Sequence, residues 1–206
     1  MMTLVIGGSG SGKSSYAERY AEKCAQECTI PFSRIKKEGF QKYYLATMQV
    51  ADGDVEGQRR VERHRSLRCG KGFVTIEQPT DIYRAVEKMD CSAKKSGTRV
   101  ALLECVSNLT ANEMFSGENF LSSEQVCAKL VGDIEQLRRS VAHLIVVGNN
   151  VFEDGIAYDE MTMEYIRAMG EIHQNLAASA DCVVEVVVGI PVVLKTWNCS
   201  EITCHE

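Results

Sequence analysis

Apolar and polar positions along the chain fall into short apolar runs separated by longer, mostly polar stretches. The apolar runs read as buried strands over Thr3–Ile6, Lys42–Ala46, Phe73–Glu77, Arg99–Cys105 and Ala142–Gly148. Two closing strands follow, over Asp181–Val188 and Val192–Lys195, with Gly189-Ile190-Pro191 between them. Helical periodicity and composition predict helices over Ser14–Cys28, Asp54–Arg68, Ser123–Ser140 and Glu160–Ala180. A further helix opens at Pro79-Thr80-Asp81 and runs to about Met89, with Thr80 as its cap. Thr29–Gln41 and Asp90–Gly97 read as polar loops, and Ala51–Gly53 as a turn. Strands that alternate with helices imply an α/β fold, a mainly parallel sheet covered by helices on both faces. Such a sheet binds ligands beyond the carboxyl ends of its strands. That edge would gather Gly7–Ser14, Thr47, Glu77, Glu104 and Asn149.

The composition adds constraints. At 206 residues, with no internal repeat, residues 1–206 are expected to form one domain. A net charge of −5 gives no general reason to expect nucleic-acid binding, so any affinity for phosphate must be local. No run reaches the ~18 apolar residues of a membrane span, and Met1 leads directly into the first strand without a signal segment. A cytoplasmic protein is expected. The nine cysteines lack metal-site spacing, so reduced thiols are expected; Cys199, Cys204 and His205 in the tail offer at most a weak metal site.

Gly7-Gly8-Ser9-Gly10-Ser11-Gly12-Lys13-Ser14 fits G-x-x-x-x-G-K-[ST], with a strand before it and a helix after it. Here the backbone amides and the helix N-terminus would cradle the phosphates of a nucleoside triphosphate. Lys13 would neutralise the β- and γ-phosphates, and Ser14 would offer its hydroxyl to Mg²⁺. Glu104 ends an apolar strand, as an acid does in the Walker B pattern, where its carboxylate reaches the Mg²⁺ or its waters.

The Asp54–Arg68 helix carries Arg59, Arg60, Arg63, His64, Arg65 and Arg68, a dense basic cluster in an acidic protein. Arg60 and His64 lie one turn apart on one face. A solvated helix face is the ordinary explanation of this pattern. The chemical alternative is a neutral imidazole that attacks an α-phosphate, with guanidiniums holding the remaining charge and lowering the imidazole pKa. From these residues alone the function stays open between a nucleotidyl-transferring kinase, another small-molecule kinase and a nucleotide-binding regulator.

The chain resembles the bifunctional adenosylcobinamide kinase / adenosylcobinamide-phosphate guanylyltransferase family of cobalamin biosynthesis. The resemblance runs through the glycine loop, Tyr44-Leu45-Ala46-Thr47, Arg60-Val61-Glu62-Arg63-His64-Arg65, Thr75-Ile76-Glu77-Gln78-Pro79, Leu102-Leu103-Glu104-Cys105 and Asn108-Leu109. It continues at Gly170, Gln174, Ala177, Ala180 and Asp181. It implies a P-loop NTPase (RecA-like) architecture. It also implies phosphorylation of adenosylcobinamide by ATP or GTP, then transfer of GMP from GTP through a guanylylated histidine. Carried over, His64 is that histidine. Gly7 to Ser14 hold the phosphates, and Ala46, Thr47, Arg68, Glu77 and Glu104 are further nucleotide contacts. Similar proteins are trimers with sites between subunits. The chain departs from the family pattern at Asn150, where the family has Glu, at Ile166-Arg167-Ala168 in place of Phe-Arg-Asp, and at His173 in place of Asn. These departures lie on the expected acceptor or subunit-contact side and leave the nucleotide half intact. His143 and His173 read as packed, structural residues.

Overall fold

A computed structural model describes residues 1–27, 40–50, 53–68, 70–89, 99–116, 120–151, 156 and 158–196. Seven strands form one sheet: β1 (Met2–Gly7), β2 (Gln41–Ala46), β3 (Phe73–Glu77), β4 (Arg99–Glu104), β5 (His143–Asn149), β6 (Cys182–Val187) and β7 (Ile190–Thr196). Their order is β3-β2-β4-β5-β1-β6-β7; every pairing is parallel except β6 with β7. The central strands are nearly continuous apolar runs because both of their faces are covered. Helix α1 (Lys13–Glu27) lays Ala17, Ala21 and Cys24 on one face, against Val5, Tyr44, Leu102 and Ile145. Its small residues allow the helix to approach the sheet closely. On the other face lie a short turn of helix (Ile82–Arg84, then α3, Ala85–Lys88), α4 (Val106–Phe115), α5 (Ser123–Arg139) and α6 (Glu160–Ser179).

The caps explain where the long helices begin. Ser122 and Gln125 form a reciprocal capping box ahead of α5: the Gln125 amide donates to Ser122 Oγ at 3.3 Å, and the Ser122 amide to Gln125 Oε1 at 3.0 Å. Asp159 caps α6 by accepting the Thr162 amide at 3.0 Å. Val126, Leu130, Ile134 and Leu137 then form the buried stripe of α5. Helix α2 (Val55–Arg68) behaves differently. Among the described residues it contributes no side chain to either core, as its run of charges dictates.

Three sequence expectations are corrected. The helix expected from Pro79 to Met89 is only a short turn plus α3. Its cap position is Asp81, at φ 47° with no side-chain cap bond, and not Thr80. Asp81 instead joins Glu113 and Asp133 around the Lys129 ammonium, at 2.8, 2.8 and 2.9 Å. Helix α4 has no counterpart in the pattern reading. Gly189 alone with Val188 makes the last turn, and Ile190 and Pro191 already belong to β7. Of the loop expected at Thr29–Gln41, residues 29–39 lie outside the described residues and Gln41 already opens β2; the loop expected at 90–97 and the cysteine-bearing tail also lie outside the described residues. Among the described residues Cys24, Cys105, Cys127 and Cys182 are free thiols. No described helix is long and apolar enough to cross a membrane.

His143 and His173 are both packed. His143 Nε2 lies 3.1 Å from Thr3 Oγ1, and the Tyr20 ring meets the imidazole edge-on. The His173 ring lies so close over Gly148 that a Cβ there would collide with it. Burial lowers both pKa values to about 4, helped at His143 by the N-terminal ammonium.

Two measurements follow from this packing. Both folded-state histidine pKa values lie below the unfolded value of 6.5, so the unfolded chain takes up protons first as the pH falls. Stability is therefore complete above pH 6.5 and declines toward pH 4, by on the order of 3 kcal/mol per histidine. Urea unfolding at pH 7 and pH 4.5 should show this loss, and His143→Gln should make it shallower. The β6–β7 turn places Val188, 83% exposed, at φ 43° beside Gly189 at φ 86°. That geometry suits Asn-Gly and strains a β-branched residue. Val188→Asn should raise the melting temperature by about 2–4 °C, the effect of about 1 kcal/mol.

Candidate functional site

The parallel register brings the strand ends to one edge. Gly7 pairs with Asn149, Glu104 with Val147, and Ala46 with both Glu104 and Glu77. A cavity of about 690 Å³ opens there. Its floor is Ser9, Gly10, Lys13 and Ser14 of the glycine loop, with Ala46, Glu104 and Asn149 at the strand ends. Gln58, Val61, Glu62 and Arg65 of α2 face it from across the cleft, and Thr75 and Glu77 close the far wall.

The glycine loop is held from three directions. The Asn150 amide donates to Gly7 O at 3.0 Å, the Ser11 amide to Gly8 O at 3.2 Å, and the Gly189 amide of the hairpin turn to Ser11 O at 2.8 Å. Gly12, at φ 89°, passes so close to Gly189 that a Cβ would sit 3.4 Å from the Gly189 Cα. A side chain there would strain the backbone and crowd the turn. Lys13, nearly buried, donates to Gly8 O at 3.1 Å, so its ammonium points across the mouth of the loop. Ser14 Oγ donates to Glu104 Oε1 at 2.5 Å. A serine hydroxyl and a carboxylate side by side form a hard-oxygen pair of the kind that binds Mg²⁺ beside phosphates. The donor set therefore fits the ion.

Thr47 is buried, not part of the wall. Its Oγ1 accepts the Cys105 amide at 2.9 Å and lies 3.0 Å from the carbonyl oxygens of Glu104 and Cys105. It fixes the end of β4, and with it the Glu104 carboxylate. Asn112 of α4 ties two edge loops together, donating to Thr47 O at 2.7 Å and Pro79 O at 2.9 Å. Cys105 starts α4, so the positive end of that helix also faces the cavity, where Asn108 joins the lining. Burial raises the Cys105 thiol pKa, keeping it neutral.

Glu77 is ion-paired with Arg65 across the cleft, and both side chains are more than half exposed. Such a pair contributes little stability, and Arg65 can exchange it for a phosphate. His64 and Arg68 lie on α2, but their side chains fall outside the described ones. His64 is one residue from Arg65, roughly 100° round the helix. The sequence reading placed Arg65 among the guanidiniums beside His64 but did not single out Gln58, Val61 or Glu62 as lining residues. Their signal was available: Gln58, Val61, Glu62 and Arg65 stand at i, i+3, i+4 and i+7.

Comparison with known proteins agrees with this geometry. The fold matches the solved structure of an ATPase domain with a TM-score of 0.56 at 10% identity, over 96% of this chain and 77% of that one. The chain is 28% identical to the bifunctional adenosylcobalamin biosynthesis protein CobU of Escherichia coli, over 95% of its own length and all of the relative's. It is 26% identical to the corresponding protein CobP of Pseudomonas aeruginosa, over 95% of its own length and 98% of the relative's. Residues 3–194 match the cobinamide kinase / cobinamide phosphate guanyltransferase family, and the chain belongs to that family.

Proposed function

We propose that one nucleotide cavity serves two successive reactions on adenosylcobinamide. In the first, the acceptor hydroxyl oxygen attacks the γ-phosphorus of ATP or GTP; the bond from that phosphorus to the β-phosphate oxygen breaks, and the hydroxyl proton is lost. In the second, a ring nitrogen of His64 attacks the α-phosphorus of GTP and pyrophosphate leaves. An oxygen of the acceptor phosphate then displaces the imidazole and takes the GMP. The observation that carries this reading is the single cavity shared by the glycine loop, the Ser14–Glu104 pair and the α2 stripe next to His64. Family membership supports the same pair of reactions.

The residues divide the work. Amides of the Gly7–Ser14 loop and Lys13 bind the phosphate oxygens. Ser14 and Glu104 would hold Mg²⁺, which offsets the charge that builds up on the phosphates when it is bound. Arg65 leaves Glu77 to neutralise phosphate, and Glu77 is then free to accept hydrogen bonds from the nucleotide. Ala46 shapes the wall, and Arg68 supplies a further cation at the end of α2. Among the described residues α2 contributes no side chain to either core, so His64 would be carried on an element that can adjust to the bound nucleotide. ATP and GTP are supplied in the cytoplasm, the compartment this reading requires.

We also infer a homotrimer. Every residue of β7 is exposed, Ile190, Val192, Val193 and Leu194 among them. Among the described residues this edge strand is uncovered, and an apolar edge of this kind calls for a partner.

Incubation with GTP labelled at the α-phosphate and Mg²⁺ should yield an acid-labile, alkali-stable protein adduct. His64→Asn should abolish it while leaving nucleotide affinity within about twofold. Equal labelling of that variant and the parent would remove His64 from the mechanism. Sedimentation should give three chain masses for the parent, and Leu194→Asp should shift the population to the monomer.

A further inference from the structure

The glycine loop can bind an anion only if its peptide groups are turned the right way. In a trans peptide the carbonyl and the following N–H point in opposite directions. A bond that draws a loop carbonyl outward therefore aims the next amide inward. Among the described residues, two backbone bonds from outside the loop and α1 act in this way. The Asn150 amide donates to Gly7 O at 3.0 Å, and the Gly189 amide donates to Ser11 O at 2.8 Å. The first comes from the chain just past β5, which pairs with β1. The second comes from the β6–β7 turn, far along the chain and outside the phosphate-loop motif.

The hairpin lies against the loop at both ends. A Cβ on Gly12 would sit 3.4 Å from Gly189 Cα and 3.8 Å from Gly189 N. A Cβ on Gly7 would come within 2.6 Å of Val186 O, at the base of the turn. The hairpin therefore packs along the loop backbone from Gly7 to Gly12, yet supplies none of the described residues that line the nucleotide cavity. The conformation of Gly189 matters more than the space around it. A Cβ there would meet nothing within 4 Å, but its φ is 86°, and that angle sets the direction of its amide.

We infer that Gly189 is a positioning residue for the phosphate loop. The β6–β7 turn holds the Ser11 carbonyl on its own side and so aims the Gly12 amide the other way, at the phosphates of a bound nucleotide. Gly189 touches no phosphate itself; it acts through the peptide between Ser11 and Gly12. This rests on the nucleotide reading of the loop. Linkage makes the coupling reciprocal: if the turn orders the loop, a polyphosphate bound in the loop orders the turn.

The test uses the full chain with a non-hydrolysable GTP analogue and Mg²⁺. Gly189→Ala adds a methyl group in open space but disfavours the φ of the turn, and should weaken analogue binding about fivefold. In phosphorylation of adenosylcobinamide it should raise KM for GTP by a similar factor, with kcat at saturating GTP within about twofold. A pair of glycines inserted between Val188 and Gly189 slackens the turn and should weaken analogue binding by about tenfold. Val188→Asn keeps the Gly189 amide in place and should bind within about twofold of the parent. In the parent, saturating analogue should slow hydrogen exchange of the Gly189 amide by about tenfold, which a merely structural turn would not show. Melting curves identify any variant that fails to fold. Folded Gly189→Ala and insertion variants that bind as tightly as the parent overturn the inference, as does a Gly189 amide whose exchange ignores the analogue. Either result leaves the nucleotide reading standing. A parent chain that binds no analogue overturns that reading and the inference with it.

Discussion

The parallel register of β2, β4, β5 and β1 is the constraint on which the site depends. Each hydrogen-bonded ladder fixes where its strand stops, and all four stop at one edge. Gly7 and Asn149 end level with each other, and Glu104 ends one strand over, where Ser14 can donate to it. A slip of one residue in β4 would turn Glu104 to the opposite face and bury an unpaired carboxylate. The apolar runs that lock the register are therefore as much part of the chemistry as the side chains that touch a nucleotide.

A second layer of contacts keeps the edge loops in place. Asn112 bridges the loops that follow β2 and β3, and Lys129 gathers three carboxylates from the β3 loop, α4 and α5. Burial works against the Lys129 charge, but the hydrogen bonds it donates to Asp81, Glu113 and Asp133 outweigh it and raise its pKa. The ammonium takes the central place a cation would take among those acids. Thr47 belongs to this layer: it positions the end of β4 from below the cavity floor.

Much of this was legible in the residues. The strands were readable because continuous apolar runs are what two-sided burial demands, and β3 ran over the expected Phe73–Glu77. The glycine loop was readable because its backbone demand writes itself as glycines. Helix α4 was not, because Val106–Phe115 mixes Ser, Asn and Thr with its apolar positions and follows β4 without a break of polar residues. The Asp81 turn was missed because a left-handed Asp held by a distant Glu113 and Lys129 has no local signature. At the site, the Ser14–Glu104 pair followed from two motifs.

The hairpin at the end of the sheet links the phosphate cradle to the sheet's outer margin. Its turn grips the cradle through the Gly189–Ser11 bond, and the strand that leaves it is the outermost of the sheet. Cradle and margin are thus joined by a connection only a few residues long. Quaternary packing against that margin would damp the cradle's motion before any substrate arrives, lowering the entropy lost on capturing phosphate. Dissociation into single chains would then register first as slackened anion capture, well before the hydrophobic core gave any sign of it.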